Sequence, residues 1–240
     1  MKLLANYNVK VLGEDKQSVF CVAPFAMSQY EPDGSAGLCC NQTRHGELDW
    51  NGPNMKQLRL DIIAGRRNKI CKKCQIEEDC SLPSFRSIYN NTSQLLYDMS
   101  YQSLKQKYYN DTNEDGSVPY DPSALVFTLG NLCIGQCMMC CPDNSTALHP
   151  NAYKWIDDEE HWVKNIYPKV NNIGSMVVLG GEPFLIKRYI KLLKYCVDND
   201  LAKNIYHYVN TGGFDKPPSE IIELWKYFKG VHVHISIDDI

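Results

Sequence analysis

The sequence predicts an α/β protein whose second half is a parallel sheet, preceded by a small cysteine-rich α+β module. Two observations carry this. After Ser123, short apolar runs alternate with helical stretches, the pattern of parallel βαβ units. Before it, cysteines, turn residues and short apolar runs dominate, with little sustained periodicity.

The elements follow in order. Leu125–Leu129 is apolar throughout and reads as a buried strand. Trp155–Val170 reads as a helix of mixed charge, and Ser175–Leu179 as a second strand. Leu185–Val197 is amphipathic, with Leu185, Tyr189, Leu192, Leu193 and Cys196 on one face. Ile205–Val209 is a third strand. Pro218–Phe228 is a helix, opened by Pro217-Pro218-Ser219 and closed by Gly230. Val231–Ile237 is a fourth strand, in which Val231, Val233, Ile235 and Ile237 alternate with His232, His234, Ser236 and Asp238. The apolar set is expected towards the helices and the polar set towards the interior, with His232 either a satisfied core histidine or near the truncated edge of the sheet. Asn110–Pro119 is polar and acidic and reads as a linker or long loop. The expected organisation is a module over 1–100, a linker over 101–122 and a sheet domain over 123–240. The chain stops at Ile240, at the end of its fourth expected strand, so that domain is expected to be C-terminally incomplete.

Composition narrows the function. Net charge is −3 and no long basic run occurs, which argues against binding nucleic acid or a membrane surface through bulk charge. No apolar stretch reaches transmembrane length, and Met1–Gly13 lacks the features of a secretory signal, so a cytoplasmic protein is expected. The eleven cysteines then point to metal or catalysis rather than disulfides. They fall in groups: Cys21; Cys39 and Cys40; Cys71, Cys74 and Cys80; Cys133, Cys137, Cys140 and Cys141; and Cys196. Cys141 reads as a spare thiol and Cys196 as core. The basic run Arg66, Arg67, Lys69, Lys72 and Lys73 reads as solvated surface.

The strongest motif is Cys133-Ile-Gly-Gln-Cys137-Met-Met-Cys140, directly after the first expected strand of the second half. Three thiolates at this spacing can cap three irons of a cubane and leave the fourth without a protein ligand. Gly180-Gly181-Glu182-Pro183 ends the next strand, Asn210 the third and Ser236-Ile-Asp238 the fourth. Each motif falls at the C-terminal end of a parallel strand, the end that carries active sites in βα barrels. Together they resemble the radical S-adenosylmethionine (SAM) superfamily over residues 123–240. One departure is Ile134, where that family often has Asn; the residue is not a ligand. The resemblance implies part of a (β/α)6 barrel, with about four of its strands present. It implies a [4Fe–4S] cluster on Cys133, Cys137 and Cys140, with SAM on its open iron. SAM contacts are implied at Gly180, Gly181, Glu182, Pro183, Asn210, Ser236 and Asp238. Reductive cleavage of SAM then yields a 5′-deoxyadenosyl radical, with a reductant such as flavodoxin or ferredoxin.

A second resemblance covers the first hundred residues. Cys21-Val-Ala-Pro-Phe25, Gly37-Leu-Cys39-Cys40, Cys71-Lys-Lys-Cys74, Glu77 or Glu78, and Ser84-Phe-Arg86 resemble the twitch domain, the shorter relative of the SPASM domain. That module holds an auxiliary cluster, though it more often follows the barrel than precedes it. It implies a second [4Fe–4S] cluster on Cys21, Cys39, Cys71 and Cys74, with Cys40 able to replace Cys39 and Cys80 a fifth candidate. Four thiolates suit a structural zinc equally, which stays open. Relatives of this build commonly modify peptides or proteins, the substrate class implied here. A nucleotide or cofactor precursor is one alternative, and a non-catalytic metal-binding interaction module is another.

Overall fold

The structure, a computed structural model, describes residues 19–42, 48–97 and 99–237; Asp238 lies outside them. Its frame is a six-stranded, mostly parallel sheet in a mixed α/β arrangement, in the order β2-β1-β3-β4-β5-β6. The strands are β1 (Met27–Tyr30), β2 (Ala36–Gly37), β3 (Ala124–Thr128), β4 (Ser175–Leu179), β5 (Tyr206–Thr211) and β6 (Gly230–Ile235). Only the short β2 runs antiparallel, against β1.

Strand β3 is central, and its composition explains why. Leu125, Val126, Phe127 and Leu129 are all buried, as a parallel strand covered on both faces requires. Residues of β3 and β4 alternate between two cores. Met176, Val178 and Val209 face a core built with Trp162, Ile166, Tyr189, Leu192, Leu193, Cys196 and Ile221. Val126, with Val177 and Leu179, faces a second core of Phe20, Phe25, Leu38, Leu58 and Leu104. The N-terminal residues thus pack on one face of the sheet and the later helices on the other.

The first hundred residues do more than pack. Strand β1 pairs parallel with β3, Met27 opposite Ala124 through Tyr30 opposite Phe127. The sheet therefore runs across the division expected near residue 100. Helices α1 (Pro53–Ile63), α2 (Lys72–Asp79), α3 (Phe85–Tyr97) and α4 (Tyr101–Asn110) complete this region. Helix α4 occupies the first half of the stretch expected as a linker. Ser100 caps it by accepting from Ser103 N, and Leu104 and Tyr108, one turn apart, bury its inner face. Residues 111–122 are loop, as the polar run suggested. The basic run of this half lies at the surface, where Arg66 pairs with Asp61 and Arg67 with Asp79.

Other expectations shift for local reasons. The helix expected over Trp155–Val170 is interrupted at Asp158, whose side chain accepts from His161 N and caps a new start. A π turn, Trp162–Ile166, then precedes Tyr167–Val170, which carries Pro168 without an N–H to give. Helix α5 (Lys187–Asp198) begins after Leu185, so Leu185 is exposed while Tyr189, Leu192, Leu193 and Cys196 are fully buried. Helix α6 (Ser219–Trp225) is shorter than expected. On β6 the polar set does share a face with Tyr208 and Asn210, to which His232 and His234 stand opposite. His232 is exposed and stacks on Tyr208, so it is not a core histidine. Among the described residues no helix is long and apolar enough to cross a membrane.

Two buried polar centres tie segments together, one within each half of the chain. Arg59 of α1 is fully buried, yet every partner is a neutral oxygen. Its guanidinium donates to Pro24 O (2.7 Å), Asn51 Oδ1 (2.9 Å), Gly116 O (3.2 Å) and Trp50 O (2.7 Å), and lies over the Trp50 ring. Burial pulls its pKa down to about 10. Three segments, at Pro24, Trp50–Asn51 and Gly116, are joined by one planar fork. On the other face, Trp225 Nε1 donates to Tyr189 Oη (3.0 Å), Tyr189 donates to His207 Nε2 (2.6 Å), and His207 Nδ1 meets Met176 O (3.3 Å). That chain needs His207 neutral, and burial lowers its pKa from 6.5 to about 4.

Replacing Arg59 by Ala is expected to cost about 3 kcal/mol or more in chemical denaturation, because several buried carbonyls lose their donor. Arg59→Lys should recover little of it, since one ammonium cannot span the four acceptors. For His207, the unfolded imidazole takes up a proton below pH 6.5 that the buried ring refuses until pH is near 4. Stability is therefore full at neutral pH and declines through that window, by roughly 3 kcal/mol in total. Denaturation midpoints measured across it should show the decline in the native chain and a flatter profile in His207→Gln. Parallel profiles for the two chains would contradict this assignment.

Candidate functional site

Because β1, β3, β4, β5 and β6 run parallel, all their C-terminal ends meet at one edge. A cavity of about 460 Å³ opens there, and each of these strands contributes to its wall. From β1 come Gln29 and Glu31, and from the loop after β3 come Cys133, Cys137, Cys140 and Asn144. The end of β4 gives Gly180 and Gly181, the end of β5 gives Asn210 and Thr211, and the segment after β6 gives Ser236.

The cysteine loop is fixed from beneath. Asn131, at the exit of β3, donates to Asn151 O (3.0 Å) and accepts from Tyr153 N (3.2 Å), pinning the returning chain. Thr146 Oγ1 meets both the N–H and the carbonyl of Cys133. Fully buried Ser145 donates to Gly135 O (2.7 Å), and Gly135 N points at Cys133 Sγ (3.2 Å). Met138 and Met139, between the ligand-spaced cysteines, are exposed.

The glycine pair after β4 has a steric reason. Gly180 and Gly181 both have positive φ, +79° and +53°. A side chain on Gly180 would strike Thr128 of β3, and one on Gly181 would strike the backbone of Leu132, just before Cys133. The pair lets β4 turn closely over the start of the cysteine loop, and Glu182 N donates to Leu132 O (2.8 Å). Gly180 and Gly181 line the cavity, but Glu182 and Pro183 do not; both are buried behind it. The Glu182 carboxylate accepts from Thr211 Oγ1 (2.7 Å) and Gly212 N (3.0 Å), bonds that compensate its burial and tie β4 to β5.

The N-terminal cysteines reach the same cavity. Cys39 and Cys40 line it. Cys21, Cys39, Cys71 and Cys74 lie close enough to influence one another. Burial raises the Cys21 thiol well above its usual range, and neighbouring Cys71 and Cys39 add to the shift. Burial likewise pushes Cys39 up to about 12, with Cys40, Cys71 and Cys74 adding. Cys71 is raised by burial, and the Arg86 guanidinium opposes the rise. Asn41 Nδ2 donates to Cys74 Sγ (3.6 Å) and to Glu77 Oε2 (3.1 Å). Glu78 accepts from Ser84 Oγ (2.5 Å) and Arg86 Nη1 (2.9 Å), which gives both glutamates of the motif a partner. Cys80 is exposed. Exposed Cys141 accepts from Asn144 Nδ2 (3.2 Å).

In the core loop, burial raises the Cys140 thiol, and Cys141, Cys133 and Cys137 add to it. Sulfurs so placed would release protons on taking up metal. Among the described residues no group of three or more His, Cys, Asp or Glu side chains is placed to hold a metal ion.

The sequence motifs missed the β1 contribution to this wall, Gln29 and Glu31, together with Gln42. Glu31 Oε1 accepts from Gln29 Nε2 (3.1 Å) and Gln42 Nε2 (3.0 Å). Met-Ser-Gln-Tyr carries no strand pattern, so nothing in it announced an edge of the sheet. Thr211 and Phe214 also went unmarked, although both lie beside the Asn210 motif.

A scan against protein-family models finds no match, and searches of curated proteins and of solved structures return no similar chain.

Proposed function

We propose that the chain is a radical SAM enzyme acting on a peptide or protein, working in the cytoplasm with a flavodoxin- or ferredoxin-type reductant. One observation carries the reading. Cys133, Cys137 and Cys140 line a single cavity with Gly180, Gly181, Asn210 and Ser236, which arrive from separate strand ends. The five parallel strands read, on this proposal, as part of a (β/α)6 barrel whose active face is this edge.

The residues fit the group. Cys133, Cys137 and Cys140 would hold a [4Fe–4S] cluster, and no fourth cysteine of that loop lines the cavity. The backbone of Gly180 and Gly181, with Asn210 and Ser236, would meet SAM. Glu182 would serve from behind, holding that turn against β5 through Thr211 and Gly212. When bound, the cluster with SAM supplies one-electron cleavage of the sulfonium and hence a hydrogen-abstracting 5′-deoxyadenosyl radical. The chain itself orients the ligand and narrows the access of water to it.

On this reading the second cysteine set would hold a closed four-thiolate cluster on Cys21, Cys39, Cys71 and Cys74. A structural zinc would suit the same four thiolates; a cluster in the loop after β3 of the same chain favours iron–sulfur. The resemblance of the N-terminal cysteine set to the twitch module, whose bearers commonly modify peptides or proteins, favours a peptide over a nucleotide.

Anaerobic reconstitution with iron and sulfide, then reduction, is expected to give a brown protein that converts SAM to 5′-deoxyadenosine. Replacing Cys133, Cys137 and Cys140 together by Ala should abolish product; product formation surviving that change would refute the reading. Replacing Cys71 and Cys74 by Ala should remove about half the bound iron. Unchanged iron with loss of zinc would instead assign the N-terminal site to structural zinc.

A further inference from the structure

We propose that Phe214 is a positioning residue, whose ring seats the cysteine loop against the end of β5 and covers Cys133. The purpose assigned to it rests on the radical SAM reading; the packing does not. Phe214 follows β5 and borders both the cysteine-lined cavity and a neighbouring apolar cleft, yet it is 47% exposed. A half-exposed phenylalanine in a loop would ordinarily need no explanation. Here two glycines make way for it.

A Cβ on Gly135 would lie 2.5 Å from Phe214 Cζ, and a Cβ on Gly212 would lie 2.3 Å from Phe214 Cε2. The same ring edge is therefore wedged between the cysteine loop and the strand end. Neither glycine is required by its backbone angles; each is required by the ring. Gly213, with φ +66°, turns the chain so that Phe214 comes back over this spot. The position beside Gly135 is also 3.4 Å from Cys133 Sγ, so the ring edge and the sulfur flank one point. Gly135 is the residue whose N–H is directed at that sulfur and whose carbonyl is held by buried Ser145. Seating Gly135 thus fixes the hydrogen bond to Cys133 and shields the thiol from solvent. Hydrogen bonds to ligand sulfurs and solvent exposure are both levers on a cluster's properties.

The test uses thiol reactivity in the metal-free, reduced chain. Iodoacetamide labelling is followed at Cys133, Cys137 and Cys140 by tandem mass spectrometry, with fully buried Cys196 as the internal reporter of folding. Phe214→Ala should raise the Cys133 rate roughly threefold or more relative to Cys137, and Phe214→Leu should stay near the native rate. Phe214→Tyr should resemble Ala, because its hydroxyl sits on Cζ, the atom nearest Gly135. Gly212→Ala should displace the ring and raise the same rate, with little further rise in Gly212→Ala/Phe214→Ala. If Phe214→Ala exposes Cys196, the Gly212→Ala and Phe214→Leu chains decide. Iron-loaded Phe214→Ala should also lose core iron faster in air. A native chain that takes up no iron would sink the radical SAM reading while leaving the labelling result intact. An unchanged Cys133 rate in chains that keep Cys196 protected overturns the role given to Phe214.

Discussion

Strand β1 pairs parallel with β3, Met27 opposite Ala124, and this pairing sets where the later strands and their loops lie. It joins residues 27–30 to residues 124–127 by a backbone ladder and brings two cysteine-bearing segments to one edge. Without it, the sheet would end at β3, and Val126, Val177 and Leu179 would lose the core that covers them. Arg59 reinforces the same junction by spending its whole guanidinium on carbonyl and amide oxygens of Pro24, Trp50, Asn51 and Gly116. A parallel ladder also fixes polarity: once β1 and β3 agree in direction, the exits of every parallel strand open on the same side.

That polarity gives the cavity its composition. Backbone comes from the glycine turn after β4, thiols from the loop after β3, and neutral amides from β1 and β5. The charged groups nearby mostly serve as scaffolding. Glu182 is consumed by β5, and Glu78 by Ser84 and Arg86. The site is thus held by buried, satisfied polar contacts rather than by hydrophobic packing alone, which suits a wall that must keep thiols at fixed positions.

Much of this was legible in the sequence, for identifiable reasons. β3 to β6 are short apolar or alternating runs rich in Val and Ile, and α5 shows its buried stripe directly. The cavity residues that were legible carry special chemistry: thiols at fixed spacing, and glycines where a side chain would strike Thr128 or Leu132. β1 was not legible. Ser28 and Gln29 are buried only because the N-terminal core covers them, and a four-residue strand leaves no period to read. Local capping also outweighed periodicity: Asp158 restarts a helix that composition alone would run through, and the exit from β4 leaves Leu185 outside α5. Nor does a motif say which of its members face the cavity. Gly180 and Gly181 do, while Glu182 and Pro183 stand behind them.

On the proposed reading, two thiolate sites of different character adjoin one cavity, one closed by protein ligands and one open to SAM. Electron paramagnetic resonance of the reduced, iron-loaded chain, recorded with and without SAM, separates them. Two overlapping cluster signals are expected, of which one changes on adding SAM and the other does not. A single signal, or spectra that SAM leaves identical, would overturn that reading.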